Sequence, residues 1–147
     1  MSDTVVLTAD KEYLDILVKS FFNIFNNKER KHVNLEAIRD MCIPAIVIIK
    51  KTGLDQIVYS LNSFIEPRIQ LLSDGTLKDF EESETEEVTD IAGQIAQRRS
   101  KYQKSGYLND AYFSETGIKL FQFIKTGEGW KISSLVWQDD EKPQHDA

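Results

Sequence analysis

Histidine, cysteine and basic stretches are what this chain is short of. Only two histidines occur, His32 and His145, so the side chain that titrates nearest neutrality is almost absent. His32 falls in the polar joint 28–33 and His145 in the charged end of the chain, where both read as solvated groups rather than a general base. The single cysteine, Cys42, excludes an intrachain disulfide. With no His or Cys near it in sequence, it suits no metal site, and no metal is expected. Asp and Glu number 24 against 18 Lys and Arg, a net charge of -6. Such a chain repels a phosphate backbone, which argues against a nucleic-acid partner. No apolar run approaches the ~20 residues that cross a bilayer, so no membrane partner is expected. The first residues, MSDTVVLTADKEY, lack a basic region followed by an apolar core, and a cytoplasmic location is the expectation. A glycine-rich phosphate loop and a nucleophile-elbow serine are both missing, so no cofactor is expected.

What is present is a strong strand pattern at the far end. Residues 117–137 read GIKLFQFIKTGEGWKISSLVW, two runs of β-branched and aromatic residues around a glycine-bearing turn at 125–129. That pattern predicts a long antiparallel hairpin. Within the second run, Trp130 and Ile132 share parity while Leu135 and Trp137 do not, which calls for two-sided burial or a bulge at Ser133-Ser134. Segments 77–89 and 91–103 read as two further strands, and 104–116 as a long loop or a hairpin extension. Short joints make these four strands antiparallel neighbours.

Upstream, residues 9–27 predict an opening helix with Thr8 as its N-cap. Tyr13, Leu14, Leu17, Phe21, Ile24 and Phe25 recur at three- and four-residue steps along it. Val18 and Phe22 widen that face enough to touch two surfaces. A shorter helix fits 35–41, capped by Asn34. AIVII at 45–49 reads as a buried strand, and 60–72 as a helix that Pro67 kinks or restarts. Ser73-Asp74-Gly75 is a turn. The layout is α+β, helices first and then a curved antiparallel sheet, forming one domain over 1–138 with a charged, disordered tail at 139–147.

Three stretches carry a family resemblance: FIEPR at 64–68 with LLSDG at 71–75, IAQ at 95–97 with SKY at 100–102, and GWKI at 129–132 with LVW at 135–137. Together they resemble an uncharacterised bacterial subgroup of the nuclear transport factor 2-like (SnoaL-like) superfamily, over roughly residues 9–141. The resemblance implies a cone of N-terminal helices packed on a strongly bent sheet, a pocket between them, and homodimers formed through the open sheet face. Members include isomerases, dehydratases, cyclases and epoxide hydrolases, and others that only bind partners, so fold does not choose function.

Within that frame the pocket candidates are Tyr59, Arg68, Glu84, Arg98, Tyr102 and Trp137. In a regular strand Phe80, Glu82, Glu84, Glu86 and Val88 share one face, and Arg98, Arg99 and Lys101 on the next strand answer their charge. The pattern leaves open whether these are exposed cross-strand pairs or a buried Glu84–Arg98 pair facing the pocket. Ala96, Arg98, Ser100 and Tyr102 share a face of small groups and polar tips, which makes it the preferred cavity wall. Tyr102 either donates to a ligand oxygen or sits in the core. Arg68 either clamps an anionic group or pairs with a surface glutamate. Trp137 is a core, interface or ligand-stacking aromatic. Three functions follow in order: a homodimer binding a small, partly apolar molecule; a small-molecule lyase, isomerase or hydrolase; and a protein-interaction module using its sheet face or the 105–116 segment.

Overall fold

The structure, a computed structural model, describes residues 3–141. Helix α1 spans Asp3–Asn23, starting earlier and ending sooner than the pattern predicts. Thr8 lies inside it and is not its N-cap. No Pro or Gly precedes Thr8, so nothing stops the helix propagating back toward the start. Leu14, Val18, Phe21 and Phe22 are buried along α1, and Phe25 just beyond it. Asn27 then does the work of a strand residue. Its backbone N–H donates to the Phe80 carbonyl and its Oδ1 accepts the Phe80 N–H. Its Nδ2 donates to the carbonyls of Leu72 and Leu77.

The expected second helix is a 3-10 turn, Leu35–Ala37, running into the single α-turn α2, Ile38–Met41, and Asn34 makes no side-chain cap. Strand β1 is Cys42–Thr52, longer than predicted, and it turns back at Gly53 into β2, Asp55–Tyr59, which the pattern did not predict. Cys42 is buried, and that burial pushes its thiol up to about 12. Helix α3 is Leu61–Ser73, opened by a reciprocal bond pair between Ser60 and Ser63 and continuous through Pro67.

Four long strands follow: β3 Leu77–Ala92, β4 Ile95–Leu108, β5 Ala111–Thr126 and β6 Gly129–Asp139. The segment 104–116 is a hairpin extension. Its turn residues Asn109 (φ 50°) and Asp110 (φ 67°) take the left-handed conformation that tight hairpins require. The sheet order is β2-β1-β6-β5-β4-β3, antiparallel except where β1 runs parallel to β6. With α1, α2 and α3 packed on this curved sheet, the architecture is α+β.

Bulges decide which side chains face inward. Gln122 pairs with Ser134 but Phe123 pairs with Ile132, so Ser133 is the extra residue in β6. That shift turns Trp130, Ile132, Leu135 and Trp137 all toward the helices, where each is buried. On β3, Glu84 pairs with Tyr102 and Glu86 with Lys101, leaving Thr85 unpaired. The regular parity expected for β3 therefore fails past Glu84: Glu86 points to solvent and Glu87 takes the inward place. Strand β6 continues through Asp139, and the Asp140 N–H donates to the Thr116 carbonyl at 2.8 Å. Position 139, expected in the tail, therefore belongs to β6, and positions 142–147 lie outside the described residues.

Candidate ligand-binding cavity

Helix α1 lies over one half of the concave sheet face. Phe21 packs edge-on against Phe121 and Phe22 against the same ring, at 5.6 and 6.3 Å between ring centres. The other half is left to α3, which is too short to fill it. Between α3 and the sheet, beside the β4–β5 hairpin, lies a cavity of about 790 Å³. Phe64, Pro67, Arg68, Leu71 and Leu72 form its helical side, and Phe80, Phe113, Leu135 and Trp137 its sheet side. Tyr59, at the end of β2, stacks on Trp137 at 5.9 Å with 11° between the planes, and Phe64 meets Trp137 edge-on at 5.9 Å.

Arg68 projects into this ring cluster from α3. Its guanidinium carbon stands 4.0 Å from the Phe64 ring centre, 5.1 Å from Tyr59 and 5.8 Å from Trp137. One Nη1 hydrogen is donated to the Phe64 carbonyl at 2.9 Å. Burial pulls its pKa below the usual arginine range, against the pull of the Tyr59 hydroxyl and Glu82. Among the described residues no carboxylate comes within ion-pair distance of it.

The cavity floor is ionic, and there every charge is matched. Lys119 reaches Glu82 at 3.0 Å, both almost fully buried. Lys104 reaches Asp139 at 2.9 Å and Glu115 at 3.6 Å, and Lys50 reaches Asp139 at 3.7 Å. Lys119 also lies 4.1 Å from the Tyr102 ring centre and 5.3 Å from that of Trp137. Burial lowers its pKa, with the Glu82 carboxylate working against that shift.

The six candidates separate. Tyr59, Arg68 and Trp137 line the cavity together. Tyr102 is buried beneath its floor, and its hydroxyl bonds Asp139 Oδ1, with the Gln138 carbonyl at 3.1 Å. Burial and Asp139 both push its pKa up, so its proton is committed to the protein and not offered to a ligand. The reach depends on Gly117, which pairs with both Tyr102 and Asp139. A Cβ there would collide with the tyrosine oxygen.

Glu84 and Arg98 face a different groove, between α1 and β3. Arg98 is 3% exposed and forks onto Glu84 through Nε at 3.1 Å and Nη2 at 2.5 Å, while Nη1 donates to Asp15 at 2.7 Å. Burial opposes the Arg98 charge, but Glu84 and Asp15 outweigh it and raise its pKa. The face chosen as cavity wall, Ala96 to Tyr102, is inward as expected but covered: α1 lies across it. Sequence reasoning missed Lys119, Glu82, Lys104 and Asp139 as cavity groups. The signal for Lys119 was there, since Gly117, Lys119, Phe121 and Phe123 share the buried side of β5.

Neither a family model nor a curated protein matches the sequence. Solved structures do match its shape. A superfamily protein of Salmonella enterica serovar Typhimurium LT2, described as nuclear transport factor 2-like, superposes with a TM-score of 0.74 at 10% identity, covering 94% of this chain and 96% of that one. The fold is nuclear transport factor 2-like. The Kfla4162 protein of Kribbella flavida gives a TM-score of 0.74 at 16% identity, with 92% and 93% covered. A nuclear transport factor 2-like protein with a cystatin-like fold from Novosphingobium aromaticivorans gives 0.70 at 13%, with 92% and 84% covered. Within this nuclear transport factor 2-like frame the ring cage around Arg68 and the matched ion pairs below it belong to this chain's own side chains.

Proposed function

We propose that the protein binds a small, partly apolar molecule in the cavity beneath α3. The observation carrying this reading is the cavity itself: about 790 Å³, walled by Tyr59, Phe64, Phe80, Phe113 and Trp137, with Arg68 on its helical side and its other charged groups on the floor. That combination of apolar wall and few convergent polar groups is what small-molecule sites are built from. The lyase, isomerase or hydrolase reading rests on a pocket carboxylate free to take a proton. Glu82, Glu115 and Asp139 each sit on a lysine, which favours binding over chemistry.

Titration with decanol, followed by tryptophan fluorescence, tests the reading. We expect a saturable change that persists in Trp130→Phe, disappears in Trp137→Phe, and is abolished by Leu71→Trp, which fills the cavity. A saturable response unaffected by Leu71→Trp, or none with either decanol or decanoate, overturns it.

The outer sheet face supports a homodimer. Val58, Ile49, Val136, Leu120, Arg99 and Val88 pair in one row across all six strands. Val58, Leu120 and Val88 on that row are 65%, 49% and 68% exposed, an apolar strip, broken only by Arg99, of the kind interfaces cover. A dimeric mass at micromolar concentration, reduced to the monomer by Leu120→Lys, is expected. A monomeric mass for the unaltered chain contradicts it.

A further inference from the structure

Taking the cavity as a binding site, the geometry points to its ligand class: we infer a monocarboxylate with an apolar body, whose carboxylate sits on Arg68 and whose body lies against the Tyr59–Phe64–Trp137 rings. Four cations line the cavity, Lys50, Arg68, Lys104 and Lys119, against three carboxylates, Glu82, Glu115 and Asp139. All three lysines are paired with those carboxylates. The surplus positive charge therefore resides at Arg68. A half-buried guanidinium without a counter-ion of its own is costly, and it cannot shed its proton to escape that cost. The rings around it repay only part.

Arg68 carries five N–H donors. The Phe64 carbonyl takes one, at 2.9 Å, and the Tyr59 hydroxyl lies close enough to pull on the charge. No buried side-chain nitrogen or oxygen among the described residues lacks a partner. Any Arg68 donor still without a partner is therefore open to the cavity and not walled off. A planar fork with one surplus charge matches a planar monoanion, which it grips through two parallel bonds. A phosphate monoester carries up to two charges near neutrality, so it would leave negative charge uncompensated among apolar walls. The floor cannot take the anion instead, because Glu82 and Asp139 would repel it.

Isothermal titration of decanoate, decanol and decyl phosphate against the intact chain and Arg68→Met tests this. Decanoate should bind the unaltered chain about 10- to 100-fold more tightly than decanol, the effect of charge-assisted hydrogen bonds in a desolvated site. In Arg68→Met that preference should vanish while decanol binding persists. Arg68→Gln serves as a second variant if Met impairs folding. Equal affinity for decanoate and decanol overturns the carboxylate inference but leaves the cavity-binding reading standing. A decanoate preference that survives loss of Arg68 moves the anion elsewhere and overturns it too. Tighter binding of decyl phosphate than of decanoate replaces the carboxylate with a phosphate. Failure of all three to bind removes both readings together.

Discussion

Two arginines point into the space between helices and sheet, and their surroundings are opposite. Arg98, on β4, is forked onto Glu84, bonded to Asp15 and 3.8 Å from Glu87, while Lys11 joins Asp15 and Glu87 from α1. Arg68, on α3, has ring faces and one backbone carbonyl, and no carboxylate among the described residues. The first arrangement is saturated and ties α1 to the β3–β4 pair. The second has no carboxylate within ion-pair distance and opens onto a cavity. One chemical group thus serves as a structural latch in one half of the molecule and stands without a counter-ion in the other. What separates them is whether the protein supplies the counter-charge.

The largest effect should come from breaking the latch. Arg98→Met leaves Glu84 without its cation and takes one of two partners from Asp15 and Glu87, and denaturation in urea should show a loss of roughly 3–5 kcal/mol. Adding Glu84→Leu should recover much of it, because an apolar pair replaces a buried ion pair at small cost. An unchanged midpoint for Arg98→Met would mean the network is solvated and the contrast false.

A second tie holds the start of α1 and should matter less. Buried Asp10 accepts the Trp130 indole N–H at 3.0 Å and Lys125 Nζ at 2.9 Å. Trp130→Phe should cost about 1–3 kcal/mol, the range for leaving a buried acceptor short of a partner. Lys125 and Trp130 together hold the Asp10 carboxyl below its ordinary value. A depressed folded-state pKa gives stability that is complete above the unfolded value of about 4 and is lost as pH falls through the folded one. The gap between the parent and Trp130→Phe should therefore narrow in melts below about pH 4. A gap that stays the same there would assign the loss to packing alone.

The smallest change should follow Arg68→Met. Lost cation–ring attraction, about 0.5–2 kcal/mol, is opposed by relief of an unpaired buried charge. The melting midpoint should shift by no more than about 1 kcal/mol equivalent in either direction. A loss as large as that of Arg98→Met would make Arg68 a second latch.

The legible parts of the fold are those where pattern and burial have one period. The β5–β6 hairpin and the Ser133 bulge follow from side-chain alternation, and the apolar face of α1 from three- and four-residue steps. The ends of α1 were not legible, since Asn27 stops the helix by bonding Phe80, 53 positions away. Strand β2, with Ile57 and Val58 half exposed or more, lacks the buried alternation that marks a strand. Of the six site candidates, Tyr59, Arg68 and Trp137 converge while Glu84, Arg98 and Tyr102 do not. Their residue types marked them equally, and only the path of α1 across the sheet separates them.

The order of residues alone determined that helices would pack on a bent, mostly antiparallel layer, because local periodicity and turn chemistry act over a few neighbours. It also determined that an inward lysine and an inward arginine would need partners. Which of them found one was decided by packing. Ion pairing inside a fold depends on distances between segments far apart in the chain, and those distances exist only once the helices have settled on the sheet.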